Sequence, residues 1–159
     1  MNESFTEQMR RFYDGHRQEL YTYSLALTRN HEAAEDAIHN AFQRLLKRGS
    51  APDDLRPYVF RCVRNAAIDD LRERLRRDDS IFDLNGNNGN ASDLTLYAEL
   101  GQLLAQLSDD ERETIVLKVF DAMTFQEIAD LRGVSINTAA SWYRRGLEKL
   151  KSLWMEEVK

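Results

Sequence analysis

The chain contains a single cysteine, Cys62, and therefore cannot form an internal disulfide. Structural disulfides belong to oxidising compartments, so this scarcity favours the cytosol. The only two prolines, Pro52 and Pro57, lie in one short segment, which leaves the rest of the chain free to be helical. No apolar run approaches the ~20 residues that span a bilayer, and no signal-peptide pattern is present at the N-terminus. We therefore expect a cytoplasmic protein without membrane insertion.

Patterns that support catalysis or metal binding are also missing. Asp36 and His39 have the i, i+3 spacing of one half of a di-iron bundle site, but the chain has no second copy. We therefore interpret His39, like His16 and His31, as a structural or surface residue. There is no Cys/His zinc cluster, glycine-rich phosphate loop or GxSxG motif. The sequence predicts no catalytic residues, no metal and no cofactor.

The charge of the chain is unevenly distributed. The net charge is −5, of which residues 1–77 contribute +2, residues 78–107 contribute −5 and residues 108–159 contribute −2. Basic residues are concentrated at 55–77, with seven arginines against three acids, and at 140–151, with four basic residues against one acid. A protein that binds DNA unaided is usually basic overall. Two cationic segments on an acidic chain therefore indicate DNA binding that needs a second protein.

Apolar periodicity predicts an all-α protein with two small helical domains. A bundle at 1–77 would contain three helices, at 5–28, 31–48 and 56–77, with Gly15 as a candidate interruption of the first. Cys62 falls in the apolar register of the third helix, and we interpret it as a small core residue.

An Asn- and Gly-rich segment at 78–92 predicts a flexible linker. Its apolar residues could dock on a partner or make an incidental local contact; they are Ile81, Phe82 and Leu84. The second domain, 93–159, would begin with a helix at 93–107. A capping box at Ser108 starts the next helix, which runs to about 121, with Ile115, Val116, Val119 and Phe120 predicted to face inward.

The end of the second domain has the layout of a helix-turn-helix, completing four helices. Thr124 and Glu127 form a capping box, Gly133 permits a left-handed turn, and Ser135 can cap the following helix. Such a helix is suited to the DNA major groove. Its polar and cationic residues suit contacts with phosphates and base edges, and the candidates are Ser135, Asn137, Thr138, Ser141, Arg144 and Arg145. Trp142 is either a core anchor or an apolar contact with a thymine methyl.

The helix at 56–77 carries a second polar face. Arginine and asparagine make bidentate contacts with bases and phosphates, and the candidates are Arg61, Arg64, Asn65 and Arg72. Two aromatics near its start, Tyr58 and Phe60, could stack on unpaired bases. An ordinary solvated face explains the same pattern.

The ordered set of motifs resembles a bacterial RNA polymerase sigma factor of the extracytoplasmic-function (ECF) type. The set comprises AAEDAIHNAFQRLLKR at 33–48, the helix at 56–77, a polar linker, LSDDERETIVLKVFDAMTFQEIADLRGVS at 107–135 and the basic helix after it. The resemblance covers nearly the whole chain. It implies a non-enzymatic transcription factor whose partners are core RNA polymerase, promoter DNA and an anti-sigma factor.

The resemblance also assigns roles to segments. The helix at 31–48 would bind the polymerase clamp through its exposed residues, which are Asp36, His39, Asn40, Gln43 and Arg44. The loop at 49–56 and the helix after it would read and melt the minus-ten element, and the C-terminal domain would bind the minus-thirty-five element as duplex. The apolar helix near 109–121 would face the polymerase flap. An alternative is a helix-turn-helix regulator with a partner-binding N-terminal bundle.

Overall fold

The structure is a computed structural model that describes residues 3–77 and 103–158. The chain divides into two compact units, Met1–Asp83 and Leu84–Lys159. The described residues form helices joined by short turns, which confirms the predicted all-α fold in two helical domains. The predicted linker, 78–92, lies outside the described residues.

Three helices build the first unit: α1 (Phe5–Thr28), α2 (His31–Arg48) and α3 (Leu55–Arg76). Each of them packs against the other two, because each presents an apolar stripe at helical spacing. A hydrogen bond of 2.9 Å from Ser24 Oγ to the carbonyl of Ala34 joins α1 to α2. The core contains fully buried side chains from all three helices, among them Met9, Leu20, Tyr23, Ala37, Ala41, Val59, Phe60 and Val63.

Side-chain caps and left-handed residues set the ends of α2. Asn30 caps its start by accepting a hydrogen bond of 2.8 Å from the backbone N–H of Ala33, and Gly49 ends it with a φ of +75°. Both ends agree with the prediction. Gly15 does not interrupt α1, since a helix interior tolerates one glycine at a cost of about 1 kcal/mol relative to alanine.

Cys62 is half-buried rather than fully buried, so its prediction as a core residue is only partly correct. Burial raises the pKa of its thiol, against the opposing effects of a hydrogen bond with Tyr58 and the nearby charges of Arg48, Arg61 and Arg44. A raised pKa keeps the thiol protonated at neutral pH. The residue therefore behaves as a packing residue at the edge of the bundle.

The second unit contains α4 (Asp109–Ile115), a π-helical turn (Val116–Phe120), α5 (Phe125–Arg132) and α6 (Ile136–Val158). Most of the helix predicted at 93–107 lies outside the described residues. Its last part supplies buried apolar side chains, which are Leu103, Leu104 and Leu107.

The π-helical turn shifts the register of the apolar positions after Val116. The N–H of Asp121 donates to the carbonyl of Val116, five residues earlier, at 3.1 Å. A π turn holds more residues than an α turn, so an α-helical count of inward positions fails beyond it. Leu117 is fully buried, whereas Val119 is 54 % exposed. The predicted inward position of Val119 is therefore wrong.

Candidate nucleic-acid interface

The helix-turn-helix forms as its sequence predicts. The Thr124 hydroxyl accepts from the N–H of Glu127 at 3.0 Å, and the Glu127 carboxylate accepts from the N–H of Thr124 at 3.0 Å. This reciprocal pair starts α5, and Gly133, with a φ of +68°, ends it. Ser135 then starts α6, where its hydroxyl accepts from the N–H of Thr138 at 3.0 Å. Each end of the turn is thus fixed by local hydrogen bonds.

A concave polar surface lies on the first half of α6. It has an open volume of about 370 Å³, and its lining residues are Asn137, Thr138, Ser141, Arg144 and Arg145. These are five of the six predicted DNA-contacting residues of this helix. The sixth, Ser135, is exposed at the helix start with its hydroxyl engaged in capping. A surface of hydroxyls, an amide and two guanidinium groups can donate to phosphates and to base edges.

The cationic residues of α6 divide into two groups. Arg144 and Arg145 are exposed, and within the residues that the structure describes neither forms an ion pair. Lys149 instead donates to Glu111 at 2.8 Å, across to α4. Burial by itself raises the pKa of Glu111, but the hydrogen bonds from Lys149 and Ser108 outweigh it and lower that pKa overall. Lys149 therefore holds α6 on α4, and the two arginines face solvent.

Gly146 brings α6 close to α4. A Cβ built on Gly146 would lie 3.0 Å from Cγ1 of Ile115 and 3.4 Å from Cβ of Glu111. The sequence does not reveal this contact, because a lone glycine inside a helix does not indicate which neighbouring element it approaches. Two further small residues of α6 are also shielded from solvent: Ala139 is fully buried and Ala140 is half-buried.

Trp142 contacts a buried ion-pair network. The guanidinium of Arg132 lies over the indole ring, 4.7 Å from its centroid. Arg132 donates to Asp110 at 2.6 Å, and its Nη1 lies 2.9 Å from an oxygen of Glu113. Glu113 is 3 % exposed. This network joins α4, α5 and α6, and Trp142 is half-buried against α5.

The polar face of α3 is the second surface. Arg61, Asn65 and Arg72 are exposed, and Arg64 is half-buried. Residues 61, 65 and 72 are separated by four and seven positions, so they follow one stripe of the helix. Arg74, near the end of α3, is half-buried instead, and it pairs with Asp70 of the same helix at 2.8 Å.

The two aromatics of α3 have different environments. Phe60 is fully buried against Tyr23, with ring centroids 5.5 Å apart, so its prediction as an accessible stacking residue is wrong. Its place in the helical register puts it beside Val59 on the core side. Tyr58 is half-buried and its hydroxyl accepts from Arg48 at 2.6 Å. Of the two, only Tyr58 is partly exposed, and the guanidinium of Arg48 lies over its ring, 5.8 Å from the centroid.

A third surface lies on α2. Its five predicted polymerase contacts are all exposed: Asp36, His39, Asn40, Gln43 and Arg44. They recur at intervals of three and one, which places them on one face opposite Ala37, Ala41 and Leu45. Two of them approach α3 by weak contacts, Arg44 with Asp69 at 3.9 Å and Asp36 with Arg74 at 4.0 Å.

Both units match models of known families. Residues 12–77 match sigma-70 region 2, and residues 97–150 match sigma-70 region 4. The chain is 30% identical over 165 residues to the RNA polymerase sigma factor CarQ of Myxococcus xanthus, covering 91% of this chain and 94% of that protein. The chain belongs to the sigma-70 family, in its extracytoplasmic-function type.

Further relatives agree with this membership. The ECF RNA polymerase sigma factor SigM of Bacillus subtilis is 25% identical over 154 residues, covering 92% of this sigma factor and 94% of that one. A solved structure of the sigma factor RpoE in complex with the anti-sigma factor NepR, from Bartonella quintana, has the same fold. Its TM-score is 0.75 at 21% identity, with 93% of this chain and 97% of that chain covered.

The matched regions contain every candidate contact of this sigma factor. The α2 and α3 surfaces lie in region 2, and the concave surface of α6 lies in region 4. Among residues 3–77 and 103–158, no set of three His, Cys, Asp or Glu side chains is arranged to hold a metal ion. None of the helices described there has the length and apolarity to cross a bilayer.

Proposed function

We propose that this sigma factor is a transcription initiation factor that binds core RNA polymerase and directs it to specific promoters. One observation carries the proposal: each of the two compact units presents its own cationic polar surface, although the chain as a whole is acidic at −5. Such surfaces are too weakly cationic for tight unaided binding. A large partner that holds both against one DNA molecule adds their contributions.

The C-terminal unit binds the minus-thirty-five element as duplex. Its concave surface combines Arg144 and Arg145 with the amide of Asn137 and two hydroxyls. An exposed helix with this chemistry fits the major groove, where arginines contact guanines and phosphates. Ser135 lies at the N-terminus of the same helix, where backbone N–H groups favour a phosphate.

The N-terminal unit recognises the minus-ten element and helps to melt it. Arg61, Arg64, Asn65 and Arg72 supply donors along α3. Tyr58 supplies a half-buried aromatic ring at the start of that helix. Donors and aromatic rings on a rigid helix can hold bases that have left the stack. The short loop between α2 and α3 makes the helix, rather than the loop, the main binding element.

The exposed face of α2 binds core polymerase. Asp36, His39, Asn40, Gln43 and Arg44 form an exposed, mixed-charge surface, in which only Asp36 and Arg44 also make weak contacts with α3. In the second unit, the exposed apolar side chain of Val119 supports a contact between the π-helical turn and the polymerase flap. An anti-sigma factor would regulate the protein by covering such surfaces, and the RpoE structure of the same fold was solved in complex with the anti-sigma factor NepR.

The proposed activity is binding rather than catalysis. The protein would use no cofactor or metal and would act in the cytoplasm, where core polymerase and the chromosome are found. Its chemistry consists of positioning polymerase and stabilising melted DNA.

Transcription by purified core polymerase tests the proposal. Promoters are first selected from a random DNA pool with this protein and core enzyme together, and run-off transcripts are then measured with and without the protein. We expect transcripts only when the protein is present. Absence of stimulation on every selected promoter would refute the proposal.

A pull-down separates the alternative, a helix-turn-helix regulator with a partner-binding bundle. Tight association with core polymerase is required only of a sigma factor. A matched pair of variants sharpens the assay: Gln43→Glu alters the α2 face, and Gln18→Glu makes the same change on an exposed residue of α1. Only the first should weaken core binding. If core polymerase is not retained at all while duplex DNA is, the regulator explanation is favoured.

A further inference from the structure

Trp142 sits beside the concave surface of α6 but is not among the residues that line it. Its indole lies instead beneath the guanidinium of Arg132, the last residue of α5. The next residue, Tyr143, meets the first residue of α5, Phe125, with ring centroids 5.4 Å apart. Two adjacent aromatics of α6 therefore contact the two ends of α5.

Arg132 is itself fixed by α4. It donates to Asp110 at 2.6 Å, and its second terminal nitrogen lies 2.9 Å from the buried carboxylate of Glu113. A guanidinium held by two carboxylates has little freedom to move, and a cation over the face of tryptophan is an attractive contact. The indole of Trp142 is thereby tied to a fixed point of the unit.

We propose that Trp142 is a positioning residue for promoter recognition: its contact with Arg132 sets the orientation of α6 about its own axis and so aims the concave surface at base edges. This inference rests on the proposed function, since it takes α6 to be the helix that reads duplex DNA. The residue touches no base. Ser141 and Arg145, one position before and three after it, supply the contacts that Trp142 aligns.

The role differs from that of an ordinary core residue. Loss of a core contact unfolds a fraction of the molecules and weakens binding to every duplex in the same proportion. A misaligned but folded helix keeps its phosphate attraction and loses base-edge contacts. The ratio of affinities for a selected and a scrambled duplex therefore distinguishes positioning from general stability.

The test measures this ratio for the full-length protein in complex with core polymerase, using labelled duplexes enriched from a random pool and scrambled versions of them. We expect Trp142→Leu to lower the ratio roughly threefold to thirtyfold, the range that corresponds to a cation–π contact. Arg132→Met should do the same, and the double variant should be no worse than either. Trp142→Phe, which keeps an aromatic face, should retain most of the preference.

Trp154→Leu is the matched control, because Trp154 lies on the same helix, is 56 % exposed and falls beyond the region 4 match. We expect it to leave the ratio unchanged. Any effect of deoxyuridine in place of thymidine should be the same in the wild-type protein and in Trp142→Leu, since removal of the thymine methyl matters only to a residue that contacts it.

Three results would overturn the positioning role. They are additive effects in the double variant, equal losses on selected and scrambled duplexes, and a deoxyuridine effect that disappears in Trp142→Leu. Any of these in a protein that still stimulates transcription leaves the proposed function standing. A wild-type chain that does not bind core polymerase refutes both.

Discussion

Replacing Gly146 by alanine is expected to destabilise the C-terminal unit, although alanine is the better helix former. The new methyl group would lie 3.0 Å from Cγ1 and 3.3 Å from Cδ1 of Ile115, distances well inside ordinary carbon–carbon contact. Ile115 is buried and cannot swing into solvent. Helix α4, which carries it, is held in place by the ion pair between Glu111 and Lys149.

The magnitude follows from two opposing effects. Alanine favours a helix interior by about 1 kcal/mol over glycine. Overpacking a buried contact costs about 1–3 kcal/mol. We therefore expect a net loss of about 1 kcal/mol for Gly146→Ala. Gly15→Ala is the matched control, because Gly15 also lies inside a helix but a Cβ there meets nothing within 4 Å. That variant should gain up to about 1 kcal/mol.

Urea unfolding of the full chain measures the effect. Both tryptophans, Trp142 and Trp154, belong to the second unit, so their fluorescence reports on it alone. Hydrogen exchange within α1 reports on Gly15→Ala. The reasoning fails if Gly146→Ala raises the urea midpoint as Gly15→Ala does in its own unit, since the helices would then have room for the methyl group.

Three further predictions concern charge. Arg145→Glu should weaken duplex binding of the polymerase complex by roughly 1–3 kcal/mol in fluorescence anisotropy, and unchanged affinity would place the DNA surface elsewhere. The lowered pKa of Glu111 contributes stability that is present above the ordinary value of 4.5 and lost as pH falls through the lowered value. The free energy of unfolding of Lys149→Met should therefore be lower than that of the wild-type protein at neutral pH, and it should fall less steeply as the pH is lowered. An unchanged dependence on pH would contradict the ion pair. Burial, with a smaller effect from the negative charge of Glu35, raises the pKa of Tyr21 to about 12. Stability should then be lost between pH 10 and 12, as monitored by circular dichroism, and Tyr21→Phe should make that loss smaller.

Local signals determined much of this protein from the sequence. Asn30, Gly49 and the capping boxes at Ser108 and Thr124 fix helix ends through bonds to residues at most four positions away. Periodicity placed the polar residues of α6 on one surface because side chains three and four apart share a helix face. Motif order was enough to indicate the family, since it depends on neighbours along the chain.

Tertiary structure decided what depends on contacts between distant residues. The burial of Phe60 depends on Tyr23, 37 positions earlier, and the outward position of Val119 depends on a π-helical turn that periodicity does not reveal. The same holds for Lys149, whose pairing with Glu111 spans 38 positions. The sequence left two roles open for Trp142, a core anchor or a contact with a thymine methyl. Its contact with Arg132 places it against α5. A helical pattern specifies which side chains share a face, but only packing against another helix decides which face is inside.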